Sequence, residues 1–172
     1  MSLLTSIFSK KLKTFFKKFR KFNALNKLDK KILKYINFYD GYFIECGAND
    51  GVDQSNTWYF EKYLNWHGLL IEPLTKQFIE LKKNRSQKNH FYNVALCGDE
   101  NINSIQIIEN DLVSTSPNEF NKGKKISNFD AKTLTKILDE ISAPNLIDFL
   151  NNNNYNLIRK LSHHDFLFEY KK

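Results

Sequence analysis

Apolar and polar positions change period several times along this chain, and each change marks an element. "GYFIEC" (41–46) is an apolar run rich in strand formers, opened by Gly41. "SNTWYFEKYLNW" (55–66) sets Trp58, Tyr59, Tyr63 and Trp66 near helical spacing, with Ser55 and Asn56 as N-cap candidates. "HGLLIEP" (67–73) is a short apolar strand stopped by Pro73, and "LTKQFIELKKNR" (74–85) returns to helical period through Leu74, Phe78 and Leu81, with basic residues in its last turn. "NHFYNVALCG" (89–98) reads as a third strand and "NSIQIIE" (103–109) alternates like a further one. Residues 111–125 are loop by composition, and "DAKTLTKILDEI" (130–141) is helical, with Leu134, Ile137, Leu138 and Ile141 on one stripe. "PNLIDFL" (144–150) reads as a buried strand, 151–161 admits either reading, and "DFLFEYK" (165–171) is a closing strand.

Strands alternating with helices, several of them continuously apolar, predict an α/β fold with a mostly parallel sheet covered by helices on both faces. In such sheets ligands bind outside the carboxyl ends of the strands. Residues 45–51, Glu45 through Gly51, lie at such an end.

The chain has 172 residues and 41% apolar content, enough for one domain with a real core. Cys46 and Cys97 are its only cysteines, without metal-like spacing, which points to free thiols in a reducing, cytoplasmic compartment. The net charge of +7 divides unevenly. Lys10 to Lys34 holds eleven Lys or Arg and one acid, net +10, which leaves −3 for the rest. A uniformly basic, nucleic-acid-binding body is thereby excluded. Within residues 1–39, Leu4, Phe8, Leu12, Phe15, Phe16, Phe19 and Phe22 fall close to helical spacing, with lysines on the other face. This segment reads as a basic amphipathic helical arm before a domain over 40–172. It packs on the domain or docks on an anionic membrane surface, with nucleic acid as a third, lesser reading for the arm. No apolar run in it has the length of a signal or a membrane span.

The chemistry concentrates in E-x-G-x-N-x-G (Glu45, Gly47, Asn49, Gly51). Glycine lets a ligand approach the backbone, and the helix start after the turn offers unpaired N–H groups. Glu45 suits an ammonium group, Asn49 and Asp50 add polar contacts, and Glu72 closes the next strand where an acid accepts from both hydroxyls of a ribose. Ribose, ammonium and carboxylate together describe S-adenosylmethionine. A dinucleotide is the rival, but Asp50 inside the turn repels a pyrophosphate. Ser55 and Asn56 are a helix start or cofactor contacts. His163-His164-Asp165 precedes a terminal strand without partners and reads as a polar turn, so no metal site is expected. His67 and His90 read as strand-flanking surface residues.

"FIECGANDGVDQSNTWYFEKYLNWHGLLIEP" (43–73) resembles the opening core of the FkbM-type methyltransferases, and 133–150 is similar to a later helix and strand of that family. The resemblance implies a Rossmann-like class I methyltransferase fold and S-adenosylmethionine-dependent methylation of hydroxyls, of a sugar or glycan precursor. It implies that Glu45, Gly47, Asn49, Asp50 and Gly51 hold the methionine end of the cofactor, Glu72 its ribose, and that Asn93 lies near the adenine. After Leu150 the chain departs from the family pattern. A segment close to S-L-D-V-E-G-x-E is missing, together with the helix, strand and second helix that succeed it in the family. The gap is about fifty residues, more than one βαβ unit of about thirty. It truncates the sheet, removes the acids that meet the acceptor, and leaves no catalytic base to name. It also predicts that 165–171 pairs directly with 144–150, baring apolar surface that favours self-association. A non-catalytic cofactor-binding or scaffold module is the alternative reading.

Overall fold

The computed structural model describes residues 20–108 and 125–141, together with the backbone of two strands at 155–160 and 166–170. The chain divides into two compact units, one holding the residues up to 95 with 103–131, the other 96–102 with the residues from 132 onward.

The first unit is built on three parallel strands, β1 (Tyr42–Cys46), β2 (His67–Ile71) and β3 (His90–Tyr92), in that spatial order. Glu45 lies opposite Leu70, and Ile71 opposite Tyr92. The middle strand carries the longest apolar run. Leu69, Leu70 and Ile71 are all within 1% of complete burial, as a strand covered on both faces requires. The crossovers are α-helical. A five-residue helix, α1 (Leu28–Ile32), precedes the sheet; α2 (Trp58–Leu64) joins β1 to β2, and α3 (Thr75–Asn84) joins β2 to β3. Phe43 and Leu70 of the sheet, Tyr59, Phe60 and Leu64 of α2 and Leu81 of α3 share one core cluster with Trp66. α2 stops short of the sequence expectation because Asn65 turns left-handed, with φ of 56°. Trp66 then serves the core, packing beside Phe60 and donating its indole N–H to Phe38 O at 2.8 Å.

The described part of the N-terminal arm is two short pieces, a 3-10 turn (Leu25–Lys27) and α1, broken where Asn26 and Lys27 take φ of 52° and 55°. Phe22, Ile32, Leu33, Ile36 and Phe38 pack against the core cluster. Asp29 is fully buried and accepts from the backbone N–H groups of Asn23, Ala24 and Lys30, which replace the water its carboxylate gives up. Residues 1–19 of the arm lie outside the described residues. Deleting residues 1–36 is expected to cost several kcal/mol, since burying one large apolar side chain contributes about 1.5–3 kcal/mol. Denaturant unfolding should show an earlier and broader transition, and an unchanged midpoint would mean that these side chains contribute nothing. No helix among the described residues is long and apolar enough to cross a membrane.

The predicted third strand is split into β3 and a two-residue β4 (Ala95–Leu96), because Asn93 at the break uses its side chain as a clamp. β5 (Ser104–Ile108) pairs antiparallel with β6 (Ile126–Lys132), a strand absent from the sequence expectation. β6 also corrects the helix start, since residues 130–132 continue the strand and Ala131 N donates to Asn103 O.

In the second unit, Thr133 caps α4 (Leu134–Glu140) by accepting from Lys136 N. β7 (Tyr155–Lys160) and β8 (Phe166–Tyr170) form an antiparallel pair. The closing strand therefore finds its partner in the segment that admits two readings from sequence. The strand expected at 144–150, all but the last residue of the loop at 111–125, and His163–Asp165 lie outside the described residues.

Candidate functional site

The parallel ladder continues past the end of β1, with Gly47 N and Ala48 N both donating to Ile71 O, at 2.9 and 3.0 Å. The chain then reverses through three left-handed residues, Gly47 (φ 71°), Asn49 (φ 49°) and Gly51 (φ 77°). Glycine avoids the Cβ penalty of that region. The two glycines face different surroundings. A Cβ on Gly47 would meet nothing within 4 Å, while one on Gly51 would lie 2.6 Å from Leu81 Cδ1 and 2.7 Å from Arg85 Cγ. Gly51 thus permits close packing of the turn on α3, and Gly47 looks onto open space at the carboxyl end of the sheet.

Glu72, just past β2, brackets this turn. One carboxylate oxygen accepts from Asn49 N and the other from Leu74 N, both at 2.8 Å. Glu72 is 5% exposed. Asn93 donates to Glu72 O at 2.8 Å and to Pro73 O at 2.9 Å, fixing the chain on which Glu72 sits. Asp50 accepts from Val52 N and Asp53 N at 2.9 and 2.7 Å, a turn closure made by its own side chain. Asn84 of α3 donates to Asp50 O.

The sequence points Glu45 at a ligand ammonium, but its carboxylate is turned inward. It accepts from Ser55 Oγ (2.9 Å), Asn56 N (2.9 Å) and Thr57 Oγ1 (2.5 Å), and pairs with Arg85 at 3.3 Å. Strand alternation puts Glu45 on the same face as buried Phe43, which explains the orientation. The N-cap of α2 is Thr57 rather than Ser55 or Asn56; buried Ser55, two residues earlier, accepts from Trp58 N at 3.0 Å inside this knot. Asn56 keeps its amide at the surface while its N–H is held by Glu45.

Arg85 is the residue that the sequence does not single out. By spacing it is one of several basic residues ending a helix, yet its side chain is completely buried. Its guanidinium donates to Glu61 (2.8 Å), Thr57 Oγ1 (2.9 Å), Gly51 O and Ser55 Oγ (both 3.2 Å), besides Glu45, and lies 5.1 Å from the Phe43 ring centroid. Glu61 also accepts from Ser86 N and Asn89 Nδ2. The only sequence signal is Glu61 inside an aromatic helix. An acid on an apolar face calls for a buried cation, and arginine's fork suits several acceptors at once.

Cys46 is exposed at the surface, yet partial withdrawal from water and then the neighbouring Glu45 carboxylate raise its thiol above its ordinary value, so it stays protonated at neutral pH. Both cysteines are free. Tyr42 at the start of β1 is pushed up to about 12 by burial, then by Tyr92. Neither supplies an anion near pH 7. Among the described residues no group of three or more His, Cys, Asp or Glu is placed to hold a metal.

A family model described as the methyltransferase FkbM domain matches residues 45–151. The match takes in Glu45, Gly47, Asn49, Asp50, Gly51, Ser55, Asn56, Glu72 and Asn93. No curated protein and no solved structure matches the chain.

Proposed function

The chain belongs to the FkbM methyltransferase family, and on that premise we propose that it moves a methyl group from S-adenosylmethionine to a hydroxyl of a sugar or glycan precursor. The observation that carries this reading is Gly47, left-handed and open, at the end of β1 beside a carboxylate at the end of β2. Three parallel strands joined by helices suit the first half of a Rossmann-like sheet, and a ligand belongs at their carboxyl ends.

When bound, S-adenosylmethionine supplies an electrophilic methyl group on a sulfonium. Gly47 leaves the space for its methionine end, and Asn49 and Gly51 shape the turn around it. Glu72 serves the ribose while its backbone bonds hold it in place, and Asn93 supports that strand end beside the adenine. Glu45, Asp50 and Ser55 act as positioning residues, because Glu45 and Ser55 face the buried Arg85 guanidinium and Asp50 closes its own turn. Holding two reactants in line is where most of the rate arises in such a reaction. Since Glu45, Asp50 and Glu72 are all engaged internally, none is assigned as the base that takes the hydroxyl proton. That engagement, with the acidic segment missing after Leu150, also favours a second reading, a module that binds the cofactor without turning it over.

Calorimetric titration with S-adenosylmethionine and its demethylated product tests the proposal. Wild-type protein should bind both, and Glu72→Ala should weaken binding by about 1–3 kcal/mol, the scale for hydrogen bonds to a charged group. Unchanged affinity in the variant would remove the ribose assignment, and no binding to wild type would remove the whole reading. A labelled-methyl assay with sugar acceptors then decides between turnover and binding alone.

A further inference from the structure

Beside the glycine turn the surface opens into a cavity of about 410 Å³, lined by Leu25, Asn26, Leu28, Lys31, Gln54 and Asn56. That volume falls within the range of small-molecule sites. We propose that this groove is the acceptor subsite, and that it takes a hydroxylated ring carrying an anionic substituent, such as a sugar phosphate or a sugar acid. The assignment rests on the methyl-transfer reading for the word acceptor; the binding itself does not.

The lining chemistry carries the choice of ligand. Asn26, Gln54 and Asn56 each present an amide that both donates and accepts, which matches the hydroxyls of a sugar. Leu25 and Leu28 are 58% and 41% exposed, apolar surface suited to the C–H face of a pyranose. Lys31 is the sole ionisable residue among the described residues lining the groove, so the charge it offers there is positive.

The walls are also built to stay put. Ala24 forms a parallel bridge with Gln54, tying the two sides together. Buried Asp29 gathers the N–H groups of Asn23, Ala24 and Lys30 under one wall. Asn56 hangs from Glu45, whose carboxylate is itself held by buried Arg85. Asn26 and Gln54 are both non-glycine residues with positive φ, at 52° and 62°. Left-handed conformations cost energy at such residues and gather where a site is shaped. Gln54 and Asn56 of the lining follow Gly51 by three and five residues, so the groove and the glycine turn belong to one connection.

Saturation-transfer NMR on the full chain, with glucose 6-phosphate, glucuronate, glucose and inorganic phosphate as probes, tests this. Glucose 6-phosphate and glucuronate should bind at least tenfold more tightly than glucose or phosphate alone. Lys31→Met keeps the stem and loses the charge, and should erase the preference over glucose. Asn56→Asp should weaken both anionic sugars tenfold or more. No binding of either anionic sugar to the wild type overturns the proposal, as does binding that both variants leave unchanged. Phosphate bound as tightly as glucose 6-phosphate also overturns it, because the ring would then go unread. A parallel S-adenosylmethionine titration separates the two readings. Sugar binding without cofactor binding leaves the groove and removes methyl transfer, and the reverse removes the groove alone.

Discussion

Arg85→Leu should destabilise the first unit by about 3–5 kcal/mol, the cost of breaking a buried ion pair by deleting one partner. The side chain it removes is fully buried and stands between two carboxylates, Glu45 and Glu61, that are 9% and 10% exposed. Without the guanidinium both acids remain inside with their charge uncompensated, and Gly51 O, Ser55 Oγ and Thr57 Oγ1 each lose a donor. A small domain has about 5–15 kcal/mol in all. Arg85→Leu is thus expected to be unfolded or marginal at room temperature, and urea unfolding followed by circular dichroism reads the loss. Arg85→Lys should recover only part of it, since one ammonium cannot reach partners spread across a fork. A midpoint equal to that of wild type would show that the knot contributes nothing to stability.

Gly47→Val should abolish S-adenosylmethionine binding while leaving the protein folded. A Cβ at this position meets no atom within 4 Å, so the main penalty on folding is the left-handed backbone at φ of 71°, about 1–2 kcal/mol. What the valine does is occupy the space assigned to the ligand. Gly51→Val provides the contrast within the same turn. There the new side chain would run into Leu81 and Arg85, and the expected result is a folding defect. Calorimetry and thermal unfolding on both variants separate the two roles. Normal cofactor binding by folded Gly47→Val would make the turn purely structural.

The elements with one dominant period are legible in the sequence. β1 and β2 are short apolar runs, α2 and α3 repeat at helical spacing, and each lies within a few residues of its expected place. β6 is not legible, because its inward positions, Phe129 and Ala131, are separated by polar residues and merge into the apolar stripe of α4. The turn after β1 is visible from its glycines, and the location of the site with it. The inward turn of the Glu45 carboxylate is less plain than the turn itself, although strand alternation alone puts that residue on Phe43's side of the sheet. Arg85 is out of reach for a different reason. Its partners lie 24 to 40 residues away, and local spacing says nothing about which buried acid meets which cation.

That separation bears on how the chain acquires its site during synthesis. The turn between Gly47 and Thr57 depends on a guanidinium forty residues downstream of Glu45, so the emerging chain cannot complete it when β1 leaves the ribosome. Glu72, which brackets Asn49, comes late as well. The ligand-facing turn therefore matures only once β2 and α3 have been made and have docked, and it does so together with the hydrophobic core rather than ahead of it.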